Sequence, residues 1–184
     1  MKSGIRILAI DDSKFKHGER NVLVIGVVRR LGVIEGVLSC RVEADGKDAT
    51  EKIIRMVSST RFLEQVKLIT INGTTVAGMN LVDITKIHSR FKLPVMAVTR
   101  NKPHPEMLKK SIISLKKKGY AEKAATIDRI SKIAKLDRLG GFYAQCIGIE
   151  KETASKYIEN VSEALRLAHM IASGVVRGES KGRL

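Results

Sequence analysis

At 184 residues, with 34 Lys+Arg against 19 Asp+Glu and a formal net charge of +15, the chain is long enough to bury one substantial core and short of the size at which cores divide. One domain spanning residues 1–184 is expected. The positive excess predicts a polyanionic partner, nucleic acid first, while no apolar stretch approaches the ~20 residues needed to span a bilayer.

No secretory signal is recognisable, and Cys40 and Cys146 are too isolated to make a zinc site or a disulfide framework, which together predict a reducing compartment, the cytoplasm. With no Trp, four Phe and three Tyr, an aromatic platform for stacking bases is not expected.

In chain order, Ile7-Leu8-Ala9-Ile10 is an apolar strand that ends abruptly in Asp11-Asp12-Ser13. Adjacent carboxylates on the rigid end of a buried strand suit a hard divalent cation. An Asp-Asp-Ser run also suits a turn or a helix cap. Successive strand residues point to opposite faces, so Asp11 and Asp12 are expected on opposite sides of the sheet.

Lys14 to Arg20 is short, polar and broken by Gly18, and the β-branched run Val22–Val28 follows, then Val33–Val42 beyond the Gly32 turn. Three consecutive strands result. That meander excludes a response-regulator receiver, in which the acids run straight into a helix. Asp45-Gly46-Lys47-Asp48 is a turn, with Asp48 the N-cap of a helix over Ala49–Val57 and Glu51 in its first turn.

Val66–Ile71 is the next strand, ending at Asn72-Gly73; a helix covers about Asn80–Phe91; and Val95–Val98 is a short strand stopped by Asn101-Lys102-Pro103-His104-Pro105. Helices are expected from about Glu106 to Lys116-Lys117-Lys118-Gly119 and from Ala121 to Ala134. A strand over Phe142–Ile149 and an amphipathic helix over Thr153–Ala172 complete the order, leaving a loosely held basic tail over 174–184.

The order β-β-β-α-β-α-β-α-α-β-α predicts an α/β, ribonuclease H-like fold: a mixed sheet with three antiparallel N-terminal strands, parallel strands after them, and flanking helices. In that arrangement strand ends and helix starts meet at one edge of the sheet. The places that meet are Asp11, the Glu43/Asp45/Asp48 cluster and Asn72.

Hydrolysis of a phosphodiester by two Mg²⁺ or Mn²⁺ ions roughly 3.5–4 Å apart needs three or four convergent acidic or imidazole ligands. Asp11 is the first candidate and Asp48 the second, although Asp48 also reads as a plain cap. His169, four residues after Leu165 on the last helix, can face the site or serve the packing. His17, His88 and His104 have weaker contexts. Arg100 and Lys102, just past a strand end, are candidates for holding a substrate phosphate. Lys116–Lys118 and the basic residues from Arg177 to Arg183 suit backbone contacts or plain solvation.

Four segments together resemble an archaeal family, endonuclease dU, distantly related to endonuclease V. They are Ala9-Ile10-Asp11-Asp12-Ser13, the Asp45–Thr50 turn, Ile71-Asn72-Gly73-Thr74-Thr75-Val76-Ala77-Gly78-Met79-Asn80, and Glu163-Ala164-Leu165-Arg166-Leu167-Ala168-His169. The last is similar to the Pro-Glu-Pro-x-Arg-x-Ala-His/Asp signature of endonuclease V.

The resemblance implies that Asp11 and His169 belong to a metal site, that Asp48 supplies the acid at the first helix, with Glu43 as a competing alignment, and that Arg100 binds phosphate. It further implies Mg²⁺- or Mn²⁺-dependent nicking of DNA near a deaminated base, with deoxyuridine favoured. RNA is a conceivable further substrate.

Two departures accompany it. Asn72-Gly73 stands where Asp-Gly is usual, exchanging an anionic ligand for a neutral amide oxygen, and Glu35-Gly36-Val37-Leu38 stands in place of a Pro-Tyr-Ile-Pro wedge. The first leaves a rival function open, a nucleic-acid-binding protein of the same fold without turnover. An interaction or regulatory protein, its acids serving only loop stability, is a third possibility.

Overall fold

The computed structural model describes residues 4–16, 18–115 and 119–180. His17, Lys116–Lys118 and residues 181–184, to which some of the expectations above refer, lie outside the described residues.

Alternation along the first strand, β1 (Arg6–Asp12), organises the architecture. Ile7 and Ala9 join one apolar cluster and Leu8 and Ile10 another, so both faces of the strand are covered. A strand buried on both faces reads as a continuous apolar run rather than an alternating one.

β1 pairs antiparallel with β2 (Val22–Arg30), which pairs antiparallel with β3 (Val33–Val42). After α1 (Ala49–Ser58), β4 (Val66–Asn72) returns parallel to β1 on its other side, with Ile10 opposite Ile71. Two short strands, β5 (Thr75–Val76) and β6 (Asn80–Leu81), form a small separate hairpin. α2 (Ile84–Phe91) then leads to β7 (Val95–Thr99), parallel to β4.

The Asp83 carboxylate caps α2, accepting from the backbone N–H groups of Thr85 and Lys86 at 3.0 and 3.3 Å. The same carboxylate is ion-paired with Arg129. Arg129 belongs to α4 (Tyr120–Ile133), which follows α3 (Pro105–Ser114). The chain closes with β8 (Leu136–Leu139), β9 (Phe142–Ile147) and α5 (Lys151–Arg177). The result is a mixed α/β structure, with a seven-stranded sheet ordered β3-β2-β1-β4-β7-β9-β8 and five helices among the described residues.

One face of the sheet carries α1 and α2, whose Ile53, Met56, Ile84 and Ile87 pack on Leu8, Ile10, Ile69 and Ile71. The opposite face carries α5. Its Tyr157, Ile158, Val161 and Leu165 cover Ile7, Ala9, Leu68 and Met96, while Ala168 and Ala172 cover Leu23, Ile25 and Val27 of β2.

Three expectations need correction. The last strands are not parallel extensions: β9 runs antiparallel to β7, and β8, an unanticipated edge strand, pairs antiparallel with β9. The helix expected from Asn80 starts at Ile84, because Asn80 and Leu81 are engaged in the β5–β6 hairpin. The supposed tail from 174 is helical to Arg177, with Gly178 (φ 77°) as the left-handed residue that ends α5. No helix among the described residues is long and apolar enough to cross a membrane.

Candidate metal and phosphate site

Strand parity decides which side chains meet. Ile7 and Ala9 face α5, so Asp11 does too; on β4 Leu68 sets the same parity for Asn72, and on β7 Met96 and Val98 set it for Arg100. The ends of three neighbouring parallel strands therefore deliver a carboxylate, an amide and a guanidinium to one edge of the sheet, beneath α5. They line a cleft of about 290 Å³ with Phe142 and with Glu163, Arg166 and His169 of α5.

Asp11 is almost fully buried, at 2% exposure. Its Oδ2 lies 3.1 Å from His169 Nδ1 and accepts from Asn72 Nδ2 at 3.1 Å. The hydrogen bond to Asp11 and its charge raise the His169 pKa above the ordinary 6.5 against a smaller opposing effect of burial, with Asp12 adding to the rise and Lys14 opposing it.

Asp12 takes the other face of the sheet, where its Oδ2 accepts from the Ala77 backbone N–H at 2.5 Å. Burial, reinforced by the neighbouring Asp11 charge, pushes the Asp12 carboxyl up to about 7. The Ala77 loop is itself pinned: Met79 N–H donates to Asp45 Oδ1 at 3.0 Å, and the buried Lys123 ammonium donates to the carbonyls of Asp45 and Met79 at 3.0 and 2.8 Å. Gly78 (φ 84°) completes the turn, where a Cβ would fall 2.4 Å from Asp45 Oδ1.

The sign of the His169 shift gives a prediction. A raised folded-state pKa means that the ion pair with Asp11 stabilises fully below about 6.5 and is lost as pH rises through the higher folded value. NMR titration of His169 in the metal-free protein is expected to give a pKa above 6.5. Asp11→Asn should lower it, and an unchanged value would mean that Asp11 does not govern the imidazole.

The cleft unites Asp11, Asn72, His169 and Arg100, whose guanidinium lies 5.8 Å from the centroid of the Phe142 ring. It does not include Asp48, Glu43 or Lys102. Asp48 stands at the start of α1, on the side of the sheet away from α5. It occupies the N-cap position without capping: its Oδ1 accepts from Asn80 Nδ2 at 2.7 Å and from Glu43 N–H at 3.2 Å, while Asn80 Oδ1 takes the Ala49 N–H at 3.1 Å. It lines a different depression, beside Lys52, Arg55 and Lys86. Lys102 is exposed beyond the end of β7. His88 serves the packing, its Nδ1 lying 2.8 Å from the Leu93 carbonyl.

Sequence reasoning gave no role to Glu163 and Arg166, which share the cleft as a two-pronged pair at 2.6 and 2.8 Å. That pair holds the Glu163 carboxyl below its usual range. Two signals were available: the signature-like segment Glu163–His169, whose Glu and Arg fall on these two residues, and the three-residue spacing of 163, 166 and 169 along the helix.

The donor set fits a divalent cation: one buried carboxylate, one imidazole and one side-chain amide line one cleft, and such cations take these groups with waters completing the shell. Among the described residues no three His, Cys, Asp or Glu side chains are already grouped to hold a metal, so the amide and solvent would share the coordination.

A family model described as endonuclease dU matches residues 3–176. The chain belongs to the endonuclease dU family. Among its relatives is a UPF0215 protein of Methanothermobacter thermautotrophicus, 39% identical over 190 residues and covering 99% of this chain and 93% of that one. A UPF0215 protein of Archaeoglobus fulgidus is 34% identical over 184 residues, with 97% of each covered.

The crystal structure of an A. fulgidus protein of unknown function matches with a TM-score of 0.85 at 33% identity, over 95% of this chain and 99% of that one. Human endonuclease V matches with a TM-score of 0.61 at 13% identity, over 95% and 85%. This endonuclease dU family member therefore shares the fold of endonuclease V.

Proposed function

We propose that the protein is a divalent-metal-dependent endonuclease that nicks DNA at or near deaminated bases, deoxyuridine favoured, on a ribonuclease H-like scaffold. The observation that carries this reading is the convergence of Asp11 and His169, from opposite ends of the chain, at 3.1 Å in a cleft that also holds Asn72 and Arg100. Family membership supports it, as does the likeness to endonuclease V, a Ciona intestinalis example of which has been solved with inosine-containing DNA.

In this reading Asp11, His169 and the Asn72 amide oxygen hold the cation. Bound there, Mg²⁺ or Mn²⁺ would lower the pKa of a water and neutralise charge on the phosphate. Arg100 sets a positive charge at the mouth of the cleft, where it can pair with a phosphate oxygen. The ion pair of Glu163 and Arg166 lines the same cleft. The net charge of +15 draws the DNA backbone to the surface, so binding should weaken steeply as salt rises.

Asn72 favours a second reading, binding without turnover. An amide in place of a carboxylate lowers the negative charge available to the cation, and Asn72 donates to Asp11 rather than offering its oxygen in the metal-free geometry. Incubation of end-labelled DNA containing one deoxyuridine with Mg²⁺ or Mn²⁺ separates the two. Metal-dependent strand breaks support the nuclease; salt-sensitive binding without breaks supports the second reading.

A further inference from the structure

The cleft beneath α5 has two ends of different chemistry. Asp11, Asn72 and His169 make the polar end, whereas the buried side chains of Val98 and Leu165 lead to Phe142 at the other. In the order β1-β4-β7-β9, three strand spacings of ~4.8 Å separate the strands that carry Asp11 and Phe142, about 14 Å in all. That is more length than one cation and one phosphate need.

Phe142 starts β9 and, paired with Leu139, closes the β8–β9 hairpin over the Gly140-Gly141 turn. A Cβ at either glycine would meet nothing within 4 Å, so this end of the cleft opens to solvent and gives an extended strand room to leave it. Phe142 is the one aromatic side chain among the described residues that line the cleft. It is half-buried, and the Arg100 guanidinium lies over its ring at 5.8 Å from the centroid, near the outer limit of a cation–π contact. A guanidinium held that loosely is free to turn to a phosphate, which uncovers the ring.

We propose that Phe142 is a stacking subsite for one unpaired nucleobase of the strand whose phosphate reaches the cation end of the cleft. The proposal rests on the nuclease reading above and deepens it. Every base has a π-face, so the subsite is indifferent to base identity. A single ring is not the row of aromatics that a stacking platform needs, and what it supplies is position. A base seated there brings a phosphate of its own strand to Arg100 and fixes the distance from that base to the bond at Asp11 and His169. A base still paired and stacked in a duplex has no free face to offer, so the strand on this side of the cleaved bond is single or locally unpaired.

The chain contains no Trp, and Phe142→Trp therefore installs a lone fluorescent reporter at the proposed contact. Titration of this full-length variant with single-stranded DNA, with Ca²⁺ in place of Mg²⁺, should quench the indole emission. Oligonucleotides carrying one abasic position, moved stepwise along the strand, should restore the emission and bind about tenfold more weakly at one position only, the worth of one stacked base. Phe142→Leu, which keeps the apolar packing and removes the ring, should weaken binding of intact DNA by about the same factor with an unchanged salt slope. Arg100→Met should instead reduce that slope by about one phosphate contact. Thermal melting shows whether each variant is folded.

Unquenched emission from the DNA-bound Phe142→Trp protein, an abasic series with no sensitive position, or a Phe142→Leu protein that binds as tightly as wild type would each overturn the stacking subsite. Metal-dependent nicking under any of those outcomes would leave the nuclease reading standing. Quenching at one position without nicking would keep the subsite and favour binding without turnover, and absence of DNA binding altogether would remove both.

Discussion

Replacing Asp11 with alanine is expected to lower metal-dependent nicking by at least about 100-fold, since groups that merely support metal ligands already cost 10–100-fold when lost. Asp11 is central because three other side chains depend on it. Its Oδ2 holds both His169 and Asn72, and its charge is one reason that the Asp12 carboxyl is pushed up to about 7. The substitution removes a ligand, the partner of the imidazole and the acceptor for the amide in one step. Asp11→Asn, which preserves shape, should lose nearly as much activity. Nicking that survives both substitutions at more than a tenth of the wild-type rate would put the chemistry elsewhere. A melting curve for each variant shows whether the fold persists.

Asn72→Asp should act in the opposite direction, raising Mn²⁺ affinity by about tenfold, because affinity for a hard cation follows the number of charged ligands. Without metal the same change is unfavourable: it replaces the donor that satisfies Asp11 with a second carboxylate, and like charges in one site drive a carboxyl pKa upward. The metal-free variant should therefore melt at a lower temperature than wild type, and Mn²⁺ should restore more stability to it. Calorimetric titration measures the affinity directly. An unchanged dissociation constant would place Asn72 outside the coordination shell. A large gain in nicking rate would identify Asn72 as the residue that restrains turnover in the natural chain.

Much of this arrangement is legible in the sequence, and for a specific physical reason. Period-2 alternation on β1 assigns Asp11 and Asp12 to opposite faces before any coordinates are known, and the structure places them so, with His169 beside the first and Ala77 beside the second. Strand direction was less accessible. Phe142–Ile147 is recognisably a strand, but whether it runs with or against β7 depends on how α3, α4 and β8 return the chain, and Leu136-Asp137-Arg138-Leu139 is too short and charged to declare itself an edge strand.

Gly174 misleads in a similar way. It resembles a helix stop but lies inside α5, where tertiary packing tolerates the ~1 kcal/mol that a helical glycine costs, and Gly178 is the actual terminus. Asp48 illustrates a limit of motif reasoning: its spacing suits a cap or a ligand, and only the contacts reveal that Asn80 takes over the capping and holds the Asp48 carboxylate on the far side of the sheet.

A crystal of the protein soaked in Mn²⁺ and measured at the manganese absorption edge tests the central claim most directly. The predicted result is an anomalous peak in the cleft, within coordination distance of Asp11 Oδ2 and His169 Nδ1, with the Asn72 amide turned to present its oxygen. A peak in the depression beside Asp48, or none near Asp11 at saturating Mn²⁺, would contradict the account.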